Sequence, residues 1–214
     1  TRRSSDLLEA EGKTAIVLAT EKQALCVFAV ADTVRDTSTE AIKALQRLGV
    51  TCIMLTGDNP TTAKAIAVHV GIEDARGNLL PEDKLKIIDE LRERYGVVGM
   101  VGDGINDAPA LAKSSIGFAM GAAGTDTALE TADVALMQDD LRGLPEFVLL
   151  SRRTRAILTQ NIALAIGIKV VFFALTLGGL GTMWMAVIAD VGASLMVVGN
   201  GLRMLRSVAP TSKG

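Results

Sequence analysis

The sequence predicts an α/β domain built on a parallel sheet, followed by a two-helix hairpin that crosses a membrane. Three observations predict it. Short apolar runs alternate with amphipathic stretches across residues 32–140. Several of those runs end in loops rich in glycine and aspartate, and open α/β sheets bind ligands at the carboxyl ends of their strands. Two apolar stretches of 22 and 20 residues follow, at 156–177 and 183–202, with arginines at their outer ends.

Composition agrees with a segregated chain. Hydrophobic residues make up 49% of the 214 and mean hydropathy is +0.36, yet 21% are charged. A net charge of −2, a pI near 5.5 and 3% aromatics argue against nucleic acid as a partner. Cys26 and Cys52 lie far apart in apolar runs and match no zinc or redox spacing, so both are expected to be buried packing residues in a reducing compartment. The single histidine, His69, is read as structural.

The elements follow in order. Residues 1–12 are polar and charged, and 14–19 and 24–31 read as an antiparallel hairpin. Thr37 with Glu40 offers a capping box for a helix to about Leu48, which Gly49 ends. A strand at 50–55 runs into Thr56-Gly57-Asp58-Asn59-Pro60, then a helix at 61–70 that Gly71 closes. Residues 78–80 read as a short extended piece. Pro81 opens the next helix, with acids in its first turn and Leu85, Ile87, Ile88 and Leu91 on its apolar face. Residues 97–101 read as a strand buried on both faces. A short helix capped by Asn106 or Asp107 follows, then a strand at 116–120, a helix at 125–131 and a strand at 134–136.

Three loops carry candidate chemistry. Gly102-Asp103-Gly104 lets the backbone turn sharply at a strand end, and Asp103 with Asp107 suits a hard divalent cation such as Mg²⁺. A Gly-Asp-Gly alone is as readily a tight turn. Thr56 and the amides around Gly57 and Asp58 can hydrogen-bond a phosphoryl group, and Lys84 offers positive charge to its oxygens. Positioning plus charge neutralisation is what phosphoryl transfer requires. A nucleophile is missing, and a phosphorylatable aspartate would complete the set.

In the hairpin, Lys169 and Asp190 are the only charges within the two spans. Each lies about 15 Å from the turn near Gly179, so an antiparallel hairpin brings them to one level near the midplane, where they could pair. They read either as a structural ion pair or as a cation site, Asp190 binding and Lys169 serving as counter-charge. Asn161 and Asn200 match in depth in the same way, nearer the basic ends. Met183, Met185 and Met196 read as packing or lipid-facing residues before soft-metal ligands. A soluble buried hairpin is the bland alternative. Arg152, Arg153, Arg155, Arg203, Arg206 and Lys213 place both ends on the cytoplasmic side.

Met54-Leu-Thr-Gly-Asp-Asn59, Pro81-Glu-Asp-Lys84 and Val101-Gly-Asp-Gly-Ile-Asn-Asp-Ala-Pro-Ala-Leu111 resemble the P-type ATPase signatures of the haloacid-dehalogenase-like superfamily. Asn161, Lys169, Ala189-Asp190-Val-Gly-Ala193 and Asn200-Gly-Leu-Arg203 resemble the heavy-metal branch, in particular its zinc/cadmium/lead exporters. The resemblance implies a Rossmann-type parallel sheet and a bacterial, multi-pass cell-membrane pump working with ATP and Mg²⁺. In it, Thr56, Gly57, Asp58, Lys84 and Asn106 serve the phosphoryl site. Asp103 and Asp107 hold Mg²⁺, while Asp190 and Lys169 belong to the site for Zn²⁺, Cd²⁺ or Pb²⁺. It further implies a nucleotide-binding-domain tail at 1–31, a phosphorylation domain at 32–140 and a stalk helix at 141–155. Membrane helices at 156–177 and 183–202 and a cytoplasmic tail at 203–214 complete the division.

The family's Asp-Lys-Thr-Gly motif is absent. The chain is therefore expected to be the C-terminal part of a pump, partnered by the missing N-terminal part and inactive alone. The rivals are a soluble phosphatase of the same superfamily and a non-catalytic, metal-binding regulatory membrane protein. The phosphatase needs a nucleophile that Asp32 and Asp36 do not supply in any fitting spacing.

Overall fold

The computed structural model describes residues 14–20, 23–30, 34–102, 107–120, 131–136 and 140–207. The chain forms two compact units, Thr1–Pro145 and Glu146–Gly214.

The first unit opens with β1 (Thr14–Ala19) and β2 (Ala24–Val30), an antiparallel pair with Ile16 opposite Phe28. Ile16, Leu18, Leu25 and Phe28 stay exposed on it, and so does Cys26. That corrects the expectation of two buried cysteines. A two-stranded ribbon has no second layer to cover its side chains. Cys52 is half-buried, and burial pushes its thiol pKa up.

Helix α1 (Asp36–Arg47) begins one residue before Thr37. Thr37 therefore sits inside the first turn, and the expected capping box with Glu40 does not form. Arg35 occupies the N-cap position, and its side chain makes no capping bond to the helix. Asp36 instead places a negative charge at the positive end of the helix. Gly49 follows the helix in a left-handed conformation that other residues rarely adopt.

Strand β3 (Ile53–Leu55) leads into α2 (Pro60–Val70), whose N-terminus Asn59 caps by accepting from the Thr62 amide at 2.8 Å. Strand β4 (Asp74–Arg76) then pairs parallel to β3. Residues 78–80 form no strand: Asn78 turns with a φ of 54°, while Leu80 is extended where it enters the next helix. Asp-Ala-Arg has no apolar run, so pairing with β3 rather than side-chain pattern makes it a strand.

Helix α3 (Pro81–Tyr95) is capped from within, Asp83 accepting from the Leu80 amide at 3.2 Å. Strand β5 (Gly99–Gly102), α4 (Ala108–Lys113), β6 (Ile116–Met120) and β7 (Val134–Leu136) complete the unit. The strands form a parallel sheet in the order β5-β6-β7, hydrogen-bonded separately from β3-β4. Parallel neighbours need a crossover, and α2 and α4 supply two of them. The expected strand at 97–101 is less buried than its sequence suggests. Met100 is buried, but Val97 precedes the strand and is 77% exposed. The expected helix at 125–131 falls almost wholly outside the described residues.

Ile88, Met100, Ala110 and Leu111 form a core between α3, β5 and α4, flanked by Leu85 and Val98. Ion pairs fix α3 on both sides. Arg76 of β4 reaches Glu90 at 3.1 Å, and Lys113 of α4 reaches Asp89 at 2.5 Å. The bonds to Glu90, and then to Asp74, hold the Arg76 guanidinium above its usual pKa.

The second unit is helical. Helix α5 (Gly143–Leu177) runs for 35 residues, about 52 Å. Helix α6 (Met183–Gly201) follows and passes into a 3₁₀ turn, Leu202–Ser207. Gly179 turns the chain with a φ of 79°, and Thr182 caps α6 by accepting from the Met185 amide at 3.3 Å. Both helices are long and apolar enough to cross a membrane. Their leucines, valines and phenylalanines are mostly exposed within this chain, as a lipid-facing pair requires.

Candidate functional site

Thr56 is the first residue after β3, and its loop folds on itself. The Thr56 hydroxyl donates to Asp58 Oδ2 at 2.8 Å and accepts from the Asp58 amide at 3.1 Å. Backbone bonds tie this loop to the segment that opens α3. The Asn78 amide donates to the Asp58 carbonyl at 2.6 Å, and the Leu79 amide to the Thr56 carbonyl at 3.1 Å. Gly77 makes that approach possible. A Cβ there would lie 2.7 Å from the Asp58 carbonyl oxygen and 2.8 Å from Pro60 Cα. Gly77→Ala is therefore expected to destabilise the unit by about 1–3 kcal/mol and to displace the Thr56 loop. A thermal melt of the protein checks this, and an unchanged midpoint would contradict the packing.

Lys84 lies one helical turn before Ile88 on the same face of α3. Ile88 packs on Met100 and Leu111, so that face is turned to β5 and α4. Lys84 is delivered to the start of α4, where its Nζ meets Asp107 Oδ1 at 2.6 Å. The two side chains are only 14% and 15% exposed. Asp107 occupies the N-cap position of α4 but makes no side-chain cap, because its carboxylate is turned to Lys84 instead. This corrects the expected capping role. Gly102 makes room for it, since a Cβ there would lie 2.8 Å from Asp107 Oδ2.

The structure thus links three of the sequence motifs. The Thr56 loop is bonded to the entry of α3, and Lys84 in the first turn of α3 is bonded to Asp107. Asp103 and Asn106 lie outside the described residues. Sequence reasoning missed Gly77 and Asn78, although Gly-Asn is a turn dipeptide. It also missed the salt bridges of Arg76 and Lys113, which no spacing rule reveals.

In the second unit, a cavity of about 270 Å³ lies between α5 and α6. Lys169, Thr176, Met185 and Asp190 are among the residues that line it. The two charges thus line one cavity from facing helices. Among the described residues they form no ion pair within 4.0 Å, so the expected direct contact is not made. Asn161 and Asn200 do meet, Asn200 Nδ2 donating to Asn161 Oδ1 at 2.8 Å.

Residues 2–114 match the family model for haloacid dehalogenase-like hydrolases, and the chain belongs to that family. The relatives it resembles within that family are heavy-metal P-type ATPases. A cadmium-transporting ATPase of Staphylococcus aureus is 52% identical over 201 residues, 94% of this chain and 28% of that protein. A zinc/cadmium/lead-transporting P-type ATPase of Escherichia coli is 48% identical over 93% of this chain and 27% of that protein. A crystal structure of a zinc-transporting PIB-type ATPase in its E2.Pi state superposes with a TM-score of 0.85 at 45% identity. It covers 95% of this chain and 33% of the solved one. The chain thus spans under a third of the curated relatives it matches.

Proposed function

We propose that the chain is part of an ATP-driven pump that exports Zn²⁺, Cd²⁺ or Pb²⁺ across a cell membrane. One observation carries the reading. A single chain joins the Lys84–Asp107 pair at a strand end to two long apolar helices whose Lys169 and Asp190 line one cavity. The names of its relatives supply the ions and the energy source.

In this reading residues 1–31 end a nucleotide-binding domain and 32–140 form the phosphorylation domain. Residues 141–155 are a cytoplasmic stalk, 156–177 and 183–202 span the membrane, and 203–214 return to the cytoplasm. The nucleophilic aspartate belongs to a part of the pump outside this chain. ATP would be held largely there as well. Thr56, Gly57 and Asp58 present a hydroxyl and amides to the phosphoryl group. Asp107 aims the Lys84 ammonium at the carboxyl end of β5, where a phosphoryl oxygen is met. Asn106 supports that loop.

Oxygen donors on one loop fit Mg²⁺, and Gly102 leaves space for the Asp107 carboxylate. Asp103 and Asp107 are the residues that would hold it. When bound, Mg²⁺ neutralises charge on the phosphoryl oxygens. Asp190 contributes an oxygen ligand to the transported ion, and Lys169 balances that carboxylate when no ion is bound. Neither the phosphatase nor the regulatory alternative is favoured, because the relatives named above are metal-transporting ATPases.

Metal-stimulated ATP hydrolysis by the purified full-length protein tests the proposal. Zinc, cadmium and lead are expected to stimulate it and copper(I) is not. Stimulation by copper(I) alone, or by none of these ions, would overturn it.

A further inference from the structure

The membrane hairpin is tied at two levels. At the turn, Gly181 lies so close to Thr176 that a Cβ would sit 2.7 Å from the Thr176 hydroxyl and 2.9 Å from its Cα. Toward the other end, Asn200 Nδ2 donates to Asn161 Oδ1 at 2.8 Å and to Gln160 Oε1 at 3.5 Å. Asn200 Oδ1 accepts from Arg203 Nη1 at 2.8 Å. Arg203 fixes the direction of this chain of bonds. A guanidinium only donates, so the Asn200 atom facing it is the oxygen. The Asn200 amide nitrogen is then the atom that faces Asn161, where it meets an acceptor.

The cavity of Lys169 and Asp190 begins at the Thr176–Gly181 tie and lies on the turn side of the amide tie. Lys169 is eight residues from Asn161 along α5, and Asp190 is ten residues from Asn200 along α6. Those separations are about 12 and 15 Å. A slip of α6 by one turn would move Asp190 about 5.4 Å along α5. Apolar side chains oppose such a slip weakly, since lipid solvates them as well as a neighbouring helix does. Paired amides oppose it directly, because in hydrocarbon few other partners exist.

We propose that Asn200 is a positioning residue of the hairpin. Its bonds to Asn161 and Gln160, oriented by Arg203, fix the register of α6 on α5 and so the level at which Asp190 faces Lys169. The functional part of this inference rests on the reading of Lys169 and Asp190 as transport-site residues.

The test uses the full-length protein with Asn200→Leu, Asn161→Leu, the double variant, Asn200→Asp, Asn200→Ser and Asp190→Ala. Each single leucine variant is expected to raise the half-saturating zinc concentration about threefold to tenfold, with the maximal rate kept. The double variant is expected to be no worse than the worse single, because one bond is lost in all three. Asn200→Asp keeps its shape and its Arg203 contact, and a turned Asn161 amide can donate to its carboxylate, so it is expected to hold half-saturation within about twofold of wild type. Asn200→Ser, too short to reach Asn161, is expected to behave as Asn200→Leu does, and it carries the test if the leucine variants do not fold. Unchanged half-saturation in the leucine and serine variants, or fully additive effects, would overturn the proposal. Non-additive Tm shifts in the same series read the bond without metal. If Asp190→Ala keeps its zinc response, the transport-site reading fails, and the Tm coupling alone decides the register claim.

Discussion

Asp190→Ala in the full-length protein is expected to remove zinc- and cadmium-stimulated ATP hydrolysis, a loss of about 100-fold or more. Phosphorylation from inorganic phosphate is expected to persist. The reason is location. Asp190 lines the cavity between α5 and α6 in the second unit, whereas Thr56, Lys84 and Asp107 belong to the first. A carboxylate within an apolar span is costly unless it has a cation or a partner. Lys169 lines the same cavity without a direct ion pair, which leaves Asp190 accessible to an ion. Asp190→Asn separates charge from shape. It is expected to lose the metal response as the alanine variant does, because an amide is a poorer ligand for a divalent ion. Wild-type stimulation in either variant would make the pair structural.

Lys84→Met has the second large effect and acts on the other unit. It keeps an unbranched apolar stem and removes the ammonium that meets Asp107 at 2.6 Å. Both partners are mostly buried, so the lost bond leaves a carboxylate in a poorly hydrated place. Breaking a fully buried pair costs about 3–5 kcal/mol, and the remaining exposure here reduces that. The rate of phosphoryl transfer is expected to fall about 100- to 1,000-fold, the scale of one lost donor at a charged transition state. Lys84→Arg is expected to recover little, because a planar fork does not fill the place of a compact ammonium. Measured phosphoenzyme formation from ATP checks this, and a rate within threefold of wild type for Lys84→Met would sink the assignment.

The sequence carried much of this, and the shortfalls have physical causes. Strong periodic signals translated well. The helix beginning at Pro81 and the strand beginning at Ile116 lie at their predicted places, and the two long apolar helices end within one residue of their predicted ends. Strand β4 did not, because Asp-Ala-Arg is a strand only through its pairing with β3. The capping box at Thr37 failed for a different reason. A two-residue difference in the N-cap position, Arg35 rather than Thr37, moves the hydroxyl out of reach.

At the site, the sequence could name Lys84 and Asp107 but not join them. Their contact depends on Ile88, Met100 and Leu111 packing α3 against β5 and α4, which is a tertiary fact. The hairpin was more legible, because helix rise alone sets depth. That arithmetic placed Asn161 level with Asn200, and the two amides are bonded. It also placed Lys169 level with Asp190, but rise says nothing about helix rotation or side-chain reach. The two line one cavity without touching.

The most direct test of the central claim is ATP-dependent uptake of radioactive zinc into inside-out vesicles holding the full-length protein. Wild type is expected to accumulate zinc, while Lys84→Met and Asp190→Ala both fail. Of the two, only Asp190→Ala is expected to keep full phosphorylation from inorganic phosphate. Uptake by Asp190→Ala at the wild-type rate would contradict the account, since the phosphoryl site would then drive zinc by a route that does not use this hairpin.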